Sequence, residues 1–235
     1  MNQDNLDDLT IICPTYNRPY ILERSLKSYA DNDFFCKIII ADSSESEAQK
    51  LVLEVLERYK SLLNLEYFHM PPPTDFGLKL YKASDRVSSE YCVIVPDDDL
   101  IIKSGLLASM KLLGKDPSVS AAYGNRLSIA CISKPNDNLN WVKSFPYYYE
   151  TIDQAEALNR MRRLPVPSFW NFPYAVCRSD ELKISLHIIR DKKWTQFTEF
   201  FFYTAILSHG KLIKIDCLYA LCSVDSNYYA YRDKD

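Results

Sequence analysis

The most informative segment of the chain reads Tyr91-Cys92-Val93-Ile94-Val95-Pro96-Asp97-Asp98-Asp99, an apolar strand-like run that ends in three adjacent carboxylates. Neighbouring carboxylates repel one another, and burying them without a counter-charge is costly. Hard divalent cations prefer carboxylate oxygens, and Mg²⁺ or Mn²⁺ commonly bridges carboxylates to substrate phosphates. The segment is therefore typical of a cation site at a strand end. A solvated acidic turn that caps a following helix fits these three residues equally well.

Strand-like and helix-like patterns alternate on both sides of this segment. Apolar strand-like runs cover residues 10–14, 36–41, 65–68 and 91–95, and helical spacing covers 19–29, 48–59, 78–87 and 104–113. This order predicts an α/β fold with a Rossmann-like, mostly parallel central sheet flanked by helices. Ligands of such sheets bind at the carboxyl ends of the strands. The polar loops 14–18, 42–44 and 97–99 are therefore expected at one edge.

The second half of the chain is less regular. Strands are predicted at 119–123 and 172–178, helices at 152–164 and 195–209, and a long loop or hairpin at 136–149. Because repeats and obvious linkers are missing, we predict one domain over residues 1–235. Residues 9–124 would form the half that binds the first substrate. Residues 125–235 would form a smaller mixed region that completes the site.

Composition excludes several classes of protein. The net charge of −3 and the lack of a basic block disfavour nucleic-acid binding. Seven scattered cysteines without a C-x-x-C pair indicate neither a disulfide framework nor a zinc site. The acidic N-terminus is unlike a signal peptide, and no apolar run is long enough to span a bilayer. We therefore expect a cytoplasmic protein without a transmembrane segment, for which peripheral contact with a membrane stays open.

Four motifs in this order resemble family 2 glycosyltransferases with the GT-A fold. The first strand and loop, Thr10-Ile11-Ile12-Cys13-Pro14-Thr15-Tyr16-Asn17-Arg18-Pro19, resembles the family's opening motif, and Ala41-Asp42-Ser43-Ser44 resembles its second signature. Gly77 stands 20 positions before Asp97, a distance at which the family often has a glycine and then a helix with a basic residue. The aspartate triplet matches the family's D-x-D-type metal motif. The resemblance covers roughly residues 9–216.

The resemblance implies a nucleotide-diphosphate sugar, most often a UDP-sugar, as the donor. Asp42 would accept a hydrogen bond from the base, Asp75 would help to position the base or ribose, and Lys82 would face the diphosphate. Each has an alternative, because Asp42 can form an Asx-turn or helix cap, Asp75 a turn, and Lys82 an exposed helical side chain. The remaining donor residues implied by the family are Pro14, Thr15 and Tyr16 around the nucleotide, with Arg18 nearby.

The resemblance implies a separate role for each residue of the aspartate triplet. Asp97 would contact the ribose or a metal-bound water, Asp98 would be the intervening donor-side residue, and Asp99 would ligate Mn²⁺ or Mg²⁺ directly. The cation would neutralise charge that develops on the departing nucleoside diphosphate.

The resemblance also implies which later residues of the chain would bind and activate the acceptor. Glu199 lies with Thr198 where the family commonly has an acidic pair at the start of a late helix, so Glu199 is the candidate base for the acceptor hydroxyl. A first-turn acid that stabilises the helix dipole is the alternative. Trp170 and Asn171 fall where the family builds its acceptor pocket, although Trp170 also fits a core position.

The resemblance implies a metal-dependent glycosyltransferase, inverting, that modifies a glycan, lipid-linked or protein hydroxyl during surface-glycan or glycoconjugate assembly. A non-catalytic nucleotide-sugar or carbohydrate-binding module is the main rival, because Ala83 and Thr198 depart from the family pattern. A nucleotidyltransferase normally has a glycine-rich phosphate loop after its first strand, and no glycine precedes Gly77.

Overall fold

The computed structural model describes residues 5–132, 140–146, 150–164, 174–193 and 196–223, which fold around one sheet. The first half of the elements, in chain order, is β1 (Leu9–Thr15), α1 (Pro19–Asp31), β2 (Lys37–Asp42), α2 (Ser46–Tyr59), β3 (Asn64–His69), α3 (Phe76–Ser84), β4 (Tyr91–Ile94), β5 (Leu100–Ile101) and α4 (Lys103–Lys115). The second half is β6 (Val119–Ile132), β7 (Asn140–Pro146), α5 (Ala157–Arg163), β8 (Val176–Arg178), α6 (Ser179–Ile189), α7 (Gln196–His209) and β9 (Lys211–Ser223).

Parallel strands form the N-terminal side of the sheet in the order β3-β2-β1-β4. Ile38, Ile39 and Ile40 of β2 are fully buried, as expected for a parallel strand that is covered on both faces. The register pairs Thr15 with Asp42, so β1 and β2 end at the same edge. The predicted α/β fold with a mostly parallel, helix-flanked sheet is confirmed.

The C-terminal side of the sheet is mixed, as predicted. Strand β8 runs antiparallel to β4, and β6 runs antiparallel to β8. Strand β9 then pairs parallel to β6 and antiparallel to β5, while β7 forms a hairpin-like antiparallel pair with β6. Strand β8 therefore lies between β4 and β6, and β9 pairs with β5, the strand that follows the aspartate triplet.

Strand β6 is longer than the sequence pattern predicts, because it continues beyond residue 123 to Ile132. Gly124, Asn125 and Arg126 interrupt the apolar pattern at the predicted end. In the structure they stay in the strand, and the ladder to β9 shifts register on both sides of Asn125. Irregularities of this kind bend a strand and re-aim side chains, and here they occur next to the candidate site.

Two helices differ from the predictions. The helix expected at 152–164 begins only at Ala157, because Ile152 instead pairs with Leu212 in an isolated antiparallel bridge. Helix α6 was not predicted, although Leu182, Leu186 and Ile189 give it a buried apolar face. Residues 172–173 of the strand predicted at 172–178 lie outside the described residues.

Helix packing completes the layers around the sheet. Helix α1 packs on α2, α3 packs on α6, and α7 lies against α5, α6 and β6. Within the described ranges, no helix combines the length and the apolar composition needed to cross a membrane.

Candidate active site

The carboxyl ends of β1 and β4 are joined by a direct side-chain contact. Thr15 is buried at the end of β1, and its Oγ1 donates a hydrogen bond to Asp97 Oδ2 at 2.6 Å. The backbone of the two strands is paired up to this point, since Val95 N donates to Ile12 O at 2.9 Å. The loops 14–18 and 97–99 therefore meet at the sheet edge, where parallel-sheet proteins bind their ligands.

Arg18 supplies positive charge to the aspartate triplet. Its guanidinium pairs with both oxygens of Asp97, with Nε 3.2 Å from Oδ2, and its Nη1 lies 2.9 Å from Asp98 Oδ2. Asp97 is fully buried, whereas the side chains of Arg18 and Asp98 are partly exposed. Charge-assisted, forked contacts of this type fix geometry as well as charge.

Helix α1 holds the backbone of the triplet from the other side. Ser25 Oγ donates to the Asp97 carbonyl at 2.6 Å, and Arg24 Nη2 donates to the Asp98 carbonyl at 2.5 Å. Ser25 is completely buried. Helix α1 therefore fixes the backbone from which the Asp97 and Asp98 side chains extend.

The ionisation of Asp97 depends on its neighbours. Burial raises the pKa of Asp97 to about 7, the Arg18 guanidinium opposes this rise, and the Asp98 carboxylate adds to it. Burial favours the neutral form of a carboxyl group, and a nearby cation favours the charged form. The site therefore gains from any additional positive charge near Asp97.

The third aspartate is buried on the side of the mixed sheet. Asp99 is 6% exposed, and the Tyr174 hydroxyl donates to its Oδ2. Tyr174 is held in turn, because Tyr219 Oη donates to its carbonyl at 2.6 Å.

Carboxylate oxygens are the ligands that hard divalent cations prefer, and the triplet places them at the edge where the parallel strands end. No group of three His, Cys, Asp or Glu side chains in the described part of the chain is arranged to hold a metal by itself. A metal role for Asp97 and Asp99 therefore stays a prediction.

Asp42 adopts the Asx-turn that the sequence left as one alternative. It is fully buried, and its Oδ1 accepts hydrogen bonds from Ser44 N at 2.8 Å and Ser44 Oγ at 2.5 Å. Tyr67 Oη donates to the other oxygen at 2.9 Å. The carboxylate is fixed at the carboxyl end of β2 beside Thr15, where its charge acts on the same loops.

The surface next to Asp42 is open and polar. Tyr16 is 40% exposed, and its hydroxyl donates to Glu45 Oε1 at 3.3 Å. A depression of about 390 Å³ lies beside it, lined by Asn17, Glu45, Ser46, Glu47 and Ala48. Pro14 is buried at the end of β1, below this surface.

The two residues predicted around α3 take different positions. Asp75 caps the helix, because its Oδ1 accepts from Gly77 N at 2.9 Å. Lys82 is exposed, and its Nζ lies 5.7 Å from the centroid of the Tyr81 ring. Neither contact reaches the aspartate loop, so their donor roles stay predictions.

Lys79, which the sequence reasoning missed, is the basic residue that α3 brings to the loops. It is 3% exposed, and its Nζ donates to the Thr15 carbonyl at 2.6 Å. Burial lowers the pKa of Lys79 to about 8, while the Asp42 and Asp97 carboxylates oppose the fall. Leu78 and Leu80 flank this lysine in the sequence, and that apolar setting was the available signal for its burial.

Glu199 lies in the first turn of α7 and is half-buried. Burial raises the pKa of Glu199 to about 7, and the Arg126 guanidinium opposes the rise. Arg126 belongs to β6 and is 3% exposed; its Cζ lies 4.0 Å from the centroid of the Tyr174 ring. Because Tyr174 also bonds Asp99, it connects Arg126 to the aspartate triplet.

Arg126 and Tyr174 were not singled out from the sequence, since both depend on strand pairings across the chain. Trp170 and Asn171, the predicted acceptor-side residues, lie outside the described residues.

Solved structures from S. aureus and Pyrobaculum calidifontis share this fold. Crystal structures of S. aureus TarS 1-349 superpose with a TM-score of 0.60 at 20% identity over 95% of this chain and 62% of that one. The mannosyltransferase PcManGT from Pyrobaculum calidifontis, in complex with GDP-Man and Mn²⁺, gives a TM-score of 0.59 at 19% identity over 96% of this chain and 59% of that one.

A curated relative is similar in sequence as well. The GalNAc(5)-diNAcBac-PP-undecaprenol beta-1,3-glucosyltransferase of Campylobacter jejuni is 29% identical over 138 residues, which cover 56% of this chain and 40% of the relative. The chain therefore matches well under half the length of that protein.

The family comparison covers most of the residues that build the site. The model for glycosyl transferase family 2 matches residues 10–174, from the start of β1 to the tyrosine that bonds Asp99. This chain belongs to glycosyl transferase family 2.

Proposed function

We propose that this chain transfers a sugar from a nucleotide-diphosphate donor, a UDP-sugar, to a hydroxyl acceptor with the help of a divalent cation and with inversion at the anomeric carbon. The observation that carries the proposal is the aspartate triplet at the end of β4, which Thr15, Arg18 and Tyr174 hold at the edge where the parallel strands end. Glu199 lies in the first turn of α7, where the Arg126 charge acts on it.

The donor would bind across the loops 14–18 and 42–44. Tyr16 offers an exposed aromatic face beside the open depression, and base–aromatic stacking is a common way to hold a nucleotide. Asp42 would act on the base from its fixed position, through its remaining acceptor capacity or through the Ser44 turn that it holds. Lys79 below the Thr15 carbonyl would add positive charge under the diphosphate, with the exposed Lys82 as a more distant contributor.

Asp99 and Asp97 would hold the cation, and a bound Mn²⁺ or Mg²⁺ would supply charge stabilisation of the leaving diphosphate. Asp98 and Arg18 lie at the partly exposed side of the triplet, where they would face the donor. Support for a metal comes from the neighbour PcManGT, whose structure contains Mn²⁺.

Glu199 would take the proton from the acceptor hydroxyl. A base works best when its pKa lies near the working pH, and burial places that of Glu199 at about 7. One carboxylate base opposite one leaving group is the arrangement of a single displacement, which inverts the anomeric configuration. The helix-dipole role for Glu199 does not conflict with this, since a first-turn acid fulfils both.

The acceptor is proposed from the comparison with the Campylobacter relative. The name of the Campylobacter relative specifies a lipid-linked glycan acceptor and a β-1,3 linkage. We therefore place a lipid-linked glycan before a soluble glycan or a protein as the acceptor, with the reaction in the cytoplasm and with peripheral contact at the membrane. Residues 9–124 would bind the donor, and residues 125–235, including Trp170 and Asn171, would bind the acceptor.

The experiment is a transfer assay with UDP-glucose, UDP-GlcNAc and GDP-mannose, each offered with isoprenoid-diphosphate-linked and soluble oligosaccharides in Mn²⁺. Mass spectrometry should detect addition of one sugar to a lipid-linked acceptor from a UDP-sugar. The anomeric coupling constant of the product should show inversion. Asp99→Ala and Glu199→Gln should abolish the product while circular dichroism stays unchanged. Transfer that survives in both variants would refute the assignment of the site.

A further inference from the structure

The outer side of helix α6 exposes two large apolar side chains. Ile184 is 51% exposed and Ile188 is 55% exposed, although the buried residues of the same helix face the core. Residues four positions apart lie on one side of an α-helix, so the two isoleucines are neighbours on the surface. Single exposed apolar residues are common on proteins, and the charges around this pair therefore decide what it can bind.

Basic side chains surround the two isoleucines. Residues 183–193 contain four basic residues and one acidic residue, namely Lys183, Arg190, Lys192 and Lys193 against Asp191. Lys192 and Lys193 are exposed just beyond the last turn of the helix. Because the whole chain has a net charge of −3, this segment is basic within an acidic protein. We call the two isoleucines and the four basic residues the α6 strip.

The positive charge of the α6 strip is concentrated at one end. Arg190 and Lys183 form ion pairs with Asp191 and Asp85, at 3.2 Å and 3.5 Å, and pairs between such exposed groups are weak. The two lysines that follow the helix supply most of the net charge. The acidic residues in the first turn of α6 stand at its opposite end, where they stabilise the helix dipole.

The basic end of the α6 strip adjoins the end of α7 that carries the proposed base. Thr198 Oγ1 donates to the Lys193 carbonyl at 3.3 Å, which ties the segment after α6 to the first turn of α7. Glu199 belongs to the same turn. A surface that binds the α6 strip therefore lies next to the acceptor side of the proposed site.

Helix α2 has a similar exposed apolar pair with the opposite surroundings. Leu51 is 38% exposed and Leu53 is 45% exposed. Within residues 45–59, four glutamates outnumber two basic residues. An anionic surface would be repelled there and attracted to the α6 strip, so the sign of the charge distinguishes the two helices.

We propose that the α6 strip docks on the surface of a bilayer that contains anionic phospholipid. Ile184 and Ile188 enter the interfacial region of the bilayer, and the basic residues of the strip face the lipid phosphates. Amphipathic helices bind membranes without spanning them through the same combination of inserted apolar residues and attracted Lys and Arg. The inference rests on the proposed function and deepens it, because it names the surface through which the chain reaches a lipid-linked acceptor.

The test is co-sedimentation of the intact chain with lipid vesicles. The vesicles contain phosphatidylcholine alone, or phosphatidylcholine and phosphatidylglycerol in a two-to-one ratio. The wild-type chain should bind the anionic vesicles more tightly than the neutral ones, and high salt should weaken this binding because it screens the charges. Lys192→Glu combined with Lys193→Glu should weaken it at least about tenfold, since each basic residue near an anionic surface contributes about fivefold. Ile184→Gln combined with Ile188→Gln should weaken it about fivefold or more.

Matched variants on and beside α2 control for general surface effects. Leu51→Gln combined with Leu53→Gln removes the other exposed apolar pair. Lys50→Glu combined with Lys60→Glu changes the net charge by the same amount as the reversal of the two strip lysines. Both controls should bind anionic vesicles within about twofold of wild type. All of the substituted side chains are exposed, so circular dichroism should be the same in every variant.

Three results would overturn the inference. The first is a wild-type chain that does not bind anionic vesicles. The second is binding that the strip variants weaken no more than the α2 controls do. The third is a dimer in analytical ultracentrifugation that dissociates in the isoleucine variant while vesicle binding stays unchanged, which would assign the strip to a second copy of the chain.

Two kinds of acceptor distinguish this failure from failure of the proposed function. With a soluble oligosaccharide, the strip variants should transfer sugar at the wild-type rate. With an isoprenoid-linked acceptor embedded in anionic vesicles, their rate should fall by the factor measured for vesicle binding. A wild-type rate on the embedded acceptor in the strip variants would reject the docking surface and leave the proposed function standing. Strip-dependent vesicle binding by a chain that transfers sugar to neither acceptor would reject the function and leave the docking surface standing.

Discussion

Replacing Glu199 by glutamine should make the protein more stable at alkaline pH while removing transfer. Folding raises the pKa of Glu199 from its ordinary value of 4.5 to about 7, with burial as the main cause. The unfolded chain therefore loses this proton more easily than the folded chain. The carboxylate destabilises the fold increasingly as the pH rises from about 4.5 to about 7, and the effect is complete above that interval.

The size of the effect follows from the same shift. At about 1.4 kcal/mol for each pH unit, the shift from 4.5 to about 7 gives an upper limit of about 3.5 kcal/mol. Because the side chain is only half-buried, solvent screening reduces this to about 1–2 kcal/mol. For a chain of this length, that corresponds to a rise in Tm of roughly 2–8 °C in Glu199→Gln at pH 8.

The assay is thermal unfolding of the wild-type and Glu199→Gln proteins at pH 4.5 and pH 8. The gain in Tm should be present at pH 8 and should largely disappear at pH 4.5, where the carboxyl is protonated in the folded chain and only half ionised in the unfolded chain. An equal Tm at pH 8, or a gain of the same size at both pH values, would refute the reasoning from burial.

Further predictions concern activity and packing. Below about pH 7, transfer should fall up to tenfold per pH unit as Glu199 gains its proton, and a flat profile from pH 5 to pH 8 would exclude it as the base. Lys79→Met should weaken donor binding about tenfold or more in calorimetry, since it removes a buried charge beside two carboxylates. Lys82→Met, which changes an exposed lysine, should alter donor affinity less than about twofold. A larger loss of affinity in Lys82→Met than in Lys79→Met would show that Lys82 is the residue that contacts the donor. Gly210→Ala should lower the free energy of unfolding by about 1–3 kcal/mol, because its Cβ would lie 2.6 Å from the Ser118 carbonyl oxygen. Gly114→Ala, whose Cβ would meet its nearest neighbour at 3.5 Å inside α4, is the control that should stabilise slightly in urea titrations.

The N-terminal half was predictable from the sequence because its signals are local. The apolar run of β2 predicts a buried strand, and the helical spacing of α1 predicts a helix, each from neighbouring residues alone. Because strands and helices alternate along this half, the strands are expected to pair in parallel. The edge at which Thr15 and Asp97 meet was predicted for the same reason. The hydrogen bond from Thr15 Oγ1 to Asp97 joins two loops that the strand order places at the same edge.

The C-terminal half was less predictable because its structure depends on partners far away in the chain. The sequence pattern ends the strand at residue 123, yet β6 continues through Arg126, because β9 pairs with β6 from Val119 to Ile129. Lys79 illustrates a different limit. Helical spacing alone does not decide which of two lysines three residues apart lies inward, and the packing of α3 on the loop of β1 decides it.

Donor binding with and without metal tests the central claim most directly. Calorimetric titration of the wild-type chain with UDP-glucose, UDP-GlcNAc and GDP-mannose should show binding of a UDP-sugar in Mn²⁺ that weakens at least about tenfold in EDTA. Asp99→Asn should lose that metal dependence while its Tm stays within a few degrees of wild type. Equal affinity in Mn²⁺ and EDTA, or unchanged metal-dependent binding in folded Asp99→Asn, would contradict the account.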